Sequence, residues 1–291
     1  MSEVYYRTMQ TSPAAKPFLK WPGGKRWLVN EIAPILRENL GPSGTYFEPF
    51  LGGGAMFFAL APKRAVLSDI NGELINAYRV VARSASRVEK ALRSLVVSSD
   101  EYYKIRSTVG GRAFDRAVRF IYLNRTAFGG IYRLNQFGEF NVPYGGRSLD
   151  VLWRDHLIAN ASRVLRDMKI ETSDYAHIFD RAGRGDVIFA DPTYTVAHDN
   201  NGFVRYNERN FSWRDQEQLA ILARRAAARG VCVVITNAAH SAVRDLYPTA
   251  EIRTVARHSC VARSSESRRR VDEFVIALPK RVLRSSSIPR K

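Results

Sequence analysis

Asp191-Pro192-Thr193-Tyr194 is the stretch of this chain best equipped for chemistry. A carboxylate and an exposed backbone carbonyl can both accept hydrogen bonds from an amino group. A tyrosine beside them can stack on a flat base. This set suits the exocyclic amine of a nucleobase turned out of a duplex. Taken alone, the four residues read more simply as an Asp-Pro turn after a strand. The rest of the chain tips the balance the other way.

Asp191 needs an element to hold it. Asp186 to Ala190, preceded by Gly183 and Gly185, is a short apolar run and reads as a buried strand. An acid at the end of such a strand stands where open α/β sheets bind ligands. Two more strands end alike. Thr45-Tyr46-Phe47 runs into Glu48-Pro49-Phe50-Leu51-Gly52-Gly53-Gly54, with a helix from near Ala55. This is neither a phosphate-cradling P-loop nor a G-x-G-x-x-G fingerprint, since both closing patterns are missing. Acidic Glu48 suits a ligand with positive charge or free amines. Ala65 to Ser68 ends in Asp69, placed to accept from ribose hydroxyls. Together these fit an adenosyl ligand with a cationic centre, such as S-adenosylmethionine. Upstream, Phe18 to Lys25 offers the Trp21 face, the charges of Lys20 and Lys25, and glycines that admit close backbone approach. A basic loop before a helix is the plainer alternative. That helix carries Leu28, Ile32, Ile35 and Leu36, and Pro34 is expected to kink or split it.

Helical spacing continues from Leu74 to Leu95. A polar break follows at Ser98 to Gly111, and then a helix at Phe114 to Leu123. Two short segments flank Asn135 to Gly138 and predict a β-hairpin interleaved with arginines, aromatics and amides. Basic hairpins of this kind can enter the major groove. A surface hairpin packed on helices is the alternative. Leu149 to Leu165 reads as one amphipathic helix capped by Ser148. Lys169 to Thr172 reads as a strand before Ser173-Asp174-Tyr175. His198 to Asn210 reads as a loop beside the site. Ser212-Trp213-Arg214-Asp215 reads as a capping box for a helix ending at Gly230. Val231 to Thr236 is a buried strand, and Glu251 to Ala256 with Val271 to Leu278 a closing pair. His258 to Arg270 reads as a phosphate-contacting loop. The predicted fold is therefore α/β and Rossmann-like: a catalytic domain at 1–71 and 156–280, an inserted helical and hairpin recognition domain at 72–155, and a basic, disordered tail at 281–291.

Charge narrows the partner. Lys and Arg total 45 against 28 Asp and Glu among 291 residues, a net +17, which favours a polyanionic partner, a nucleic acid. With 45% hydrophobic residues the chain can build a sizeable core. No apolar run reaches the ~18 residues needed to span a membrane. No apolar signal-peptide core precedes Lys16, so a cytoplasmic protein is expected. Association with the nucleoid and a monomeric state are separate expectations, in keeping with a double-stranded DNA partner. Cys232 and Cys260 lack metal-site spacing, and no metal is expected; Cys232 reads as a core residue.

Five motifs in order resemble the Dam-type DNA N6-adenine methyltransferases of the alpha group, the D12 class, over about residues 18 to 280. They are F-L-K-W-P-G-G-K, E-P-F-L-G-G-G, S-D-I-N, the hairpin stretch Leu123 to Gly145, and R-R-R-V-D-E-F-V. The resemblance implies cofactor contacts at Trp21, Lys25, Asp69 and Asp191. Glu48, Phe50 and Gly52 of the glycine-rich motif, with Asp174, complete that set. It implies that Asp191, Pro192 and Tyr194 hold the target adenine. Lys20, Ile131, Arg133 and Pro143 match positions that read bases in relatives acting on GATC, and Arg125 and Asn135 join the DNA-facing set. Accepting both N6 protons, at the Asp191 carboxylate and the Pro192 carbonyl, favours a pyramidal nitrogen with an available lone pair. Transfer is then a direct in-line displacement helped by orientation, with neither a covalent intermediate nor a metal. Two residues depart from the pattern: Gly129 stands where relatives often carry asparagine, and Thr193 replaces the second proline of D-P-P-Y. Thr193 keeps two alternatives open, a DNA-binding relative with weak catalysis, and an enzyme accepting a bulkier or charged group on the sulfonium, with Arg205 a candidate partner for that group.

Overall fold

The computed structural model describes residues 15–195, 211–258 and 270–279. The expected loop at His198 to Asn210, with Arg205, lies outside them. So do the interior of the His258 to Arg270 loop, Cys260, and the tail from Lys280.

Strand β4 (Val187–Ala190) is apolar throughout because it is covered on every side. Parallel neighbours flank it, β1 (Tyr46–Glu48) and β5 (Cys232–Ala238). Val187 and Phe189 point into one core; Ile188 and Ala190 point into the other. The seven-stranded sheet adds β2 (Ala65–Asp69), β3 (Lys169–Thr172), β6 (Glu251–His258) and β7 (Arg270–Leu278) in the order β3-β2-β1-β4-β5-β7-β6. Only the pairings of β7 are antiparallel. The chain builds outward from β1 to β3 on one side, then from β4 on the other. Connections therefore diverge at the carboxyl ends of β1 and β4 and leave a crevice there. Glu48 and Asp191 stand at that crevice.

Helices cover both faces. On one lie α1 (Val29–Asn39) and α2 (Ala55–Leu60). The same core takes in α3 (Gly72–Arg93), α4 (Ser99–Ser107), α5 (Ala113–Thr126), α6 (Val151–Arg154) and α7 (Leu157–Leu165), all between β2 and β3. The other face carries α8 (Tyr175–Arg181) and α9 (Trp213–Ala228), with α10 (Ser241–Asp245) after β5. The capping box at α9 is formed: Ser212 Oγ accepts from Asp215 N at 3.3 Å and Asp215 Oδ2 accepts from Ser212 N at 2.7 Å. Gly230 follows the helix at φ 90°, a left-handed stop. Cys232 is buried in the core, as expected.

Four local expectations change. Helix α1 runs unbroken through Pro34, because burial of Ile32, Ala33, Ile35 and Leu36 outweighs one missing N–H. The polar break contains α4, whose N-terminus is capped by Ser98 Oγ accepting from Glu101 N at 3.2 Å. Only Tyr102 of α4 is buried, so the helix leaves no apolar period to read. The helix expected at Leu149 to Leu165 is two, interrupted at His156 with φ 49°, and Ser148 Oγ instead caps a turn by accepting from Asp150 N at 3.0 Å. The hairpin forms its turn without two regular strands. Its arms meet through the isolated bridges Leu134↔Phe140 and Ala127↔Tyr144. The Asn135 amide organises that turn: its Oδ1 accepts from Phe137 N and Glu139 N, each at 2.9 Å, and its Nδ2 donates to Glu139.

Candidate active site

The end of β4 delivers Asp191 into a dense polar cluster. Lys25 Nζ lies 2.7 Å from Asp191 Oδ1 and 2.9 Å from Oδ2. Thr236 of β5 donates its hydroxyl to Oδ1 at 2.6 Å. Lys25 is itself held by the Gly23 carbonyl at 2.8 Å. The Asp191 carboxylate is thus oriented by two donors from different elements. Three residues on, the Tyr194 hydroxyl donates to Glu273 Oε2 of β7 at 2.8 Å, and Lys25 Nζ sits 5.0 Å from the Tyr194 ring centroid. Burial, then the Asp191 and Glu273 carboxylates, push the Tyr194 hydroxyl well above its ordinary pKa, so it stays a donor. Pro192 is buried; Thr193 is exposed, and its carbonyl accepts from Gln216 Nε2 at 3.4 Å. Gln216 is fully buried and in turn accepts from Asn237 at 2.8 Å.

Glu48, at the end of β1, is 2% exposed and accepts from the Tyr46 hydroxyl at 2.7 Å. Burial pushes its carboxyl up to about 8; the Tyr46 hydrogen bond opposes this, and the Asp191 and Asp69 carboxylates add to it. Below the ordinary value of 4.5 both folded and unfolded chains carry this proton. Between about 4.5 and 8 the folded chain alone keeps it, so stability falls as pH rises through that window and the loss is complete above it. Asp69, also raised by burial, contributes with the same sign. The thermal midpoint of the unliganded protein is therefore expected to drop from pH 5 to pH 8.5 more steeply than that of Glu48→Gln. Parallel curves in differential scanning fluorimetry would contradict the assignment.

Asp69 ties the end of β2 to the glycine turn. Its Oδ2 accepts from Gly52 N and its Oδ1 from Asn71 N, each at 3.0 Å. The Ile70 backbone N–H is a further donor to this carboxylate, which keeps a lone pair for a ligand. Gly52 has φ 46°, and a Cβ there would lie 2.8 Å from the Trp21 ring. Trp21 and the turn are therefore in close contact through a position only glycine fits. Phe50 faces elsewhere, stacked on Tyr175 at 5.4 Å with Phe211 edge-on. Asp174 caps α8 by accepting from Ala176 N at 2.8 Å and is exposed at the end of β3. The contacts thus gather Trp21, Lys25, Glu48, Gly52, Asp69, Asp191, Pro192 and Tyr194 at the strand ends, while Phe50 and Asp174 lie beyond them, Phe50 packed on Tyr175 and Phe211.

A second group borders it. The Lys20 backbone is clamped by Asn124 of α5, which accepts from Lys20 N at 2.9 Å and donates to Lys20 O at 2.7 Å. Burial, then Arg125, Arg147 and Arg26, push Lys20 down to about 8. Arg125 is 4% exposed and is pushed to about 10 by burial and by Arg26 and Arg147. Lys20, Arg125, Arg147 and Arg26 thus form one cluster of like charge. Ile131 is half-buried beside it, while Arg133 and Pro143 are exposed on either side of the turn at Asn135 to Gly138. Asn135 faces its own turn. Thr236, Gln216, Asn237, Glu273 and Asn124 are polar contributors absent from the expected sets. Glu273 and Thr236 carry the available signal, polar residues inside apolar strands.

The chain belongs to the D12 class N6 adenine-specific DNA methyltransferases, whose family model matches residues 21–259. The sheet and helices form a Rossmann-like methyltransferase fold. It is 33% identical over 271 residues to the type II methyltransferase M1.LlaDCHI of Lactococcus lactis subsp. cremoris, covering 90% of this chain and 94% of that one. It is 34% identical to the type II methyltransferase M.MjaIII of Methanocaldococcus jannaschii over 242 residues, 76% of this chain and 84% of the relative. It is 30% identical to the DNA adenine methylase of Escherichia coli K12 over 266 residues, 89% and 94% of the two chains. Membership makes the chain an adenine-specific DNA methyltransferase by family, with DNA as substrate class. No described helix is long and apolar enough to cross a membrane.

Proposed function

We propose that this protein transfers a methyl group from S-adenosylmethionine to N6 of an adenine flipped out of duplex DNA, within GATC. The observation that carries this reading is the Asp191 carboxylate, held by Lys25 and Thr236 at the crevice where the strand order reverses. A fixed acceptor there takes a hydrogen bond from one N6–H, and the Pro192 carbonyl takes one from the other. The nitrogen lone pair is then directed at the methyl carbon, and the gain is one of orientation. The N–CH₃ bond forms as the sulfonium S–CH₃ bond breaks, and one N6 proton is released. The Tyr194 ring lies against the base.

The residues present fit the cofactor. Three buried or half-buried acids, Glu48, Asp69 and Asp191, stand at the crevice, and a cationic ligand there favours the ionised form of Glu48, which burial otherwise keeps protonated. When bound, S-adenosylmethionine supplies an electrophilic methyl on a sulfonium. Glu48 binds the positive end, Asp69 the ribose, and Trp21 offers its face to the adenosyl group. Phe50 and Asp174 extend this surface along the rim.

We assign residues 72–155 to target recognition, and residues 1–71 and 156–280 to catalysis. Lys20, Ile131, Arg133 and Pro143 read bases, while Arg125 and its basic neighbours receive phosphate. Asn135 serves DNA binding by holding the turn. Thr193 is compatible with methyl transfer, because its carbonyl and the buried Pro192 are held by neighbours that do not require a second proline. The protein acts as a monomer on cytoplasmic, nucleoid DNA.

The test is incubation with S-adenosylmethionine and a duplex bearing one GATC, followed by mass spectrometry of the nucleosides. N6-methyladenine in that site is expected. DNA binding without modification would reduce the protein to a binding relative. Methylation confined to another adenine context would overturn GATC. N6-methyladenine in cells expressing the protein, accompanied by a bulkier or charged N6 adduct, would show that Thr193 alters donor choice.

A further inference from the structure

Glu273 has no part in the chemistry above, yet it sits at the centre of the site's wiring. It lies on β7, opposite Ala238 of β5 and Val255 of β6, and is 2% exposed. Its strand neighbours Phe274, Val275 and Ile276 are core residues. A carboxylate is costly in such a strand unless something charged or hydrogen-bonding meets it. Two groups do. The Tyr194 hydroxyl donates to Glu273 Oε2 at 2.8 Å, and Lys25 Nζ lies 3.8 Å from the same oxygen. Lys25 is also the ion-pair partner of Asp191, at 2.7 Å. Thr236, which donates to Asp191, also neighbours the Tyr194 hydroxyl. Asp191, Lys25, Glu273, Tyr194 and Thr236 thus close a ring of contacts contributed by the β4 end, the N-terminal loop, β7 and β5.

We propose that Glu273 is a positioning residue for methyl transfer: it anchors the Tyr194 ring through the hydroxyl and shares the Lys25 ammonium with Asp191. This rests on the function proposed above. The sharing has a chemical consequence. A carboxylate that holds an ammonium alone is a weakened acceptor for a further donor. With part of the ammonium's field directed at Glu273, Asp191 keeps more of its basicity for the substrate amine. The anchor has a geometric one. Tyr194 has two rotatable side-chain bonds, and a fixed hydroxyl holds its ring at one angle to the incoming base. Both effects act on the reacting complex rather than on the affinity for DNA or donor.

Glu273→Gln separates charge from hydrogen bonding, since the amide oxygen still accepts from Tyr194 while Lys25 is left to Asp191. The expected result is a single-turnover rate at saturating S-adenosylmethionine and DNA about tenfold below the parent, from a weakened charge-oriented contact. Dissociation constants for both ligands are expected to stay within about threefold, for want of direct contact. Parent-like single-turnover rate would overturn the proposal. So would a rate loss matched by equal losses in both affinities, which marks a general structural defect. Should Glu273→Gln not fold, Glu273→Asp keeps the charge and shortens the reach to Tyr194. It is expected to lower kcat with KM for DNA unchanged, and an unchanged kcat would overturn the anchor. The parent measured alongside keeps the two readings apart. Absence of transfer by the parent defeats the function itself, whereas active parent and equally active variants defeat only the role of Glu273.

Discussion

Asp191→Asn is expected to lower the single-turnover rate of methyl transfer by ~10²–10³-fold, the cost of losing one preorganised polar group at a reacting centre. The side chain keeps its size, so the loop is not emptied. What changes is the acceptor. The carboxylate takes Lys25 on both oxygens and Thr236 on one, and still has a lone pair for an amine. An amide offers one oxygen, which Lys25 and Thr236 claim, and turns its NH₂ towards the substrate nitrogen. Donor then faces donor, and the N6 lone pair is no longer favoured. Asp191→Ala removes the acceptor outright and is expected to abolish transfer. In both variants DNA affinity, measured by fluorescence anisotropy, is expected to persist, because the basic cluster around Lys20 and Arg125 lies on other elements. Near-parental turnover in Asp191→Asn would remove Asp191 from the mechanism.

Arg133→Ala is expected to relax sequence choice at one guanine rather than weaken binding everywhere. Arg133 is exposed just before the turn at Asn135 to Gly138, and its Nε donates to Asn141 Oδ1 at 2.8 Å. That bond fixes the guanidinium plane and leaves the Nη groups for the O6 and N7 acceptors of a guanine. The turn beneath it is held by the Asn135 amide, so the arginine is presented from a rigid base. Losing such a pair costs ~1–3 kcal/mol of discrimination, or about 5- to 150-fold in preference for the cognate base. Competition between GATC duplexes and duplexes substituted at one guanine measures it. Equal weakening on all sequences, with a shallower salt dependence, would instead make Arg133 a phosphate contact.

Residues that lie close together in the chain declared themselves in the sequence. Asp191 follows an apolar run, Glu48 precedes three glycines, and Asp69 closes a third strand. Each is a local pattern, because a parallel strand buried on both faces must be apolar along its length, so an acid at its end stands out. The Ser212 capping box and the Gly230 stop are equally local. The order of the motifs carried the family. The helix α4 stayed hidden because it buries only Tyr102, and the unbroken course of α1 through Pro34 depends on burial that no local rule weighs. The break at His156 likewise follows from packing of α6 and α7.

The sequence alone thus determined the α/β architecture, the acids at the strand ends and the basic partner-facing character, all consequences of side-chain periodicity and charge. Tertiary structure decided which of these residues meet. Lys25 and Asp191 are 166 positions apart and in contact; Tyr194 and Glu273 are 79 apart; Lys20 and Asn124 are 104 apart. No periodicity encodes such pairs, because they arise where separate strands end at one crevice, and only the order of the sheet puts those ends side by side.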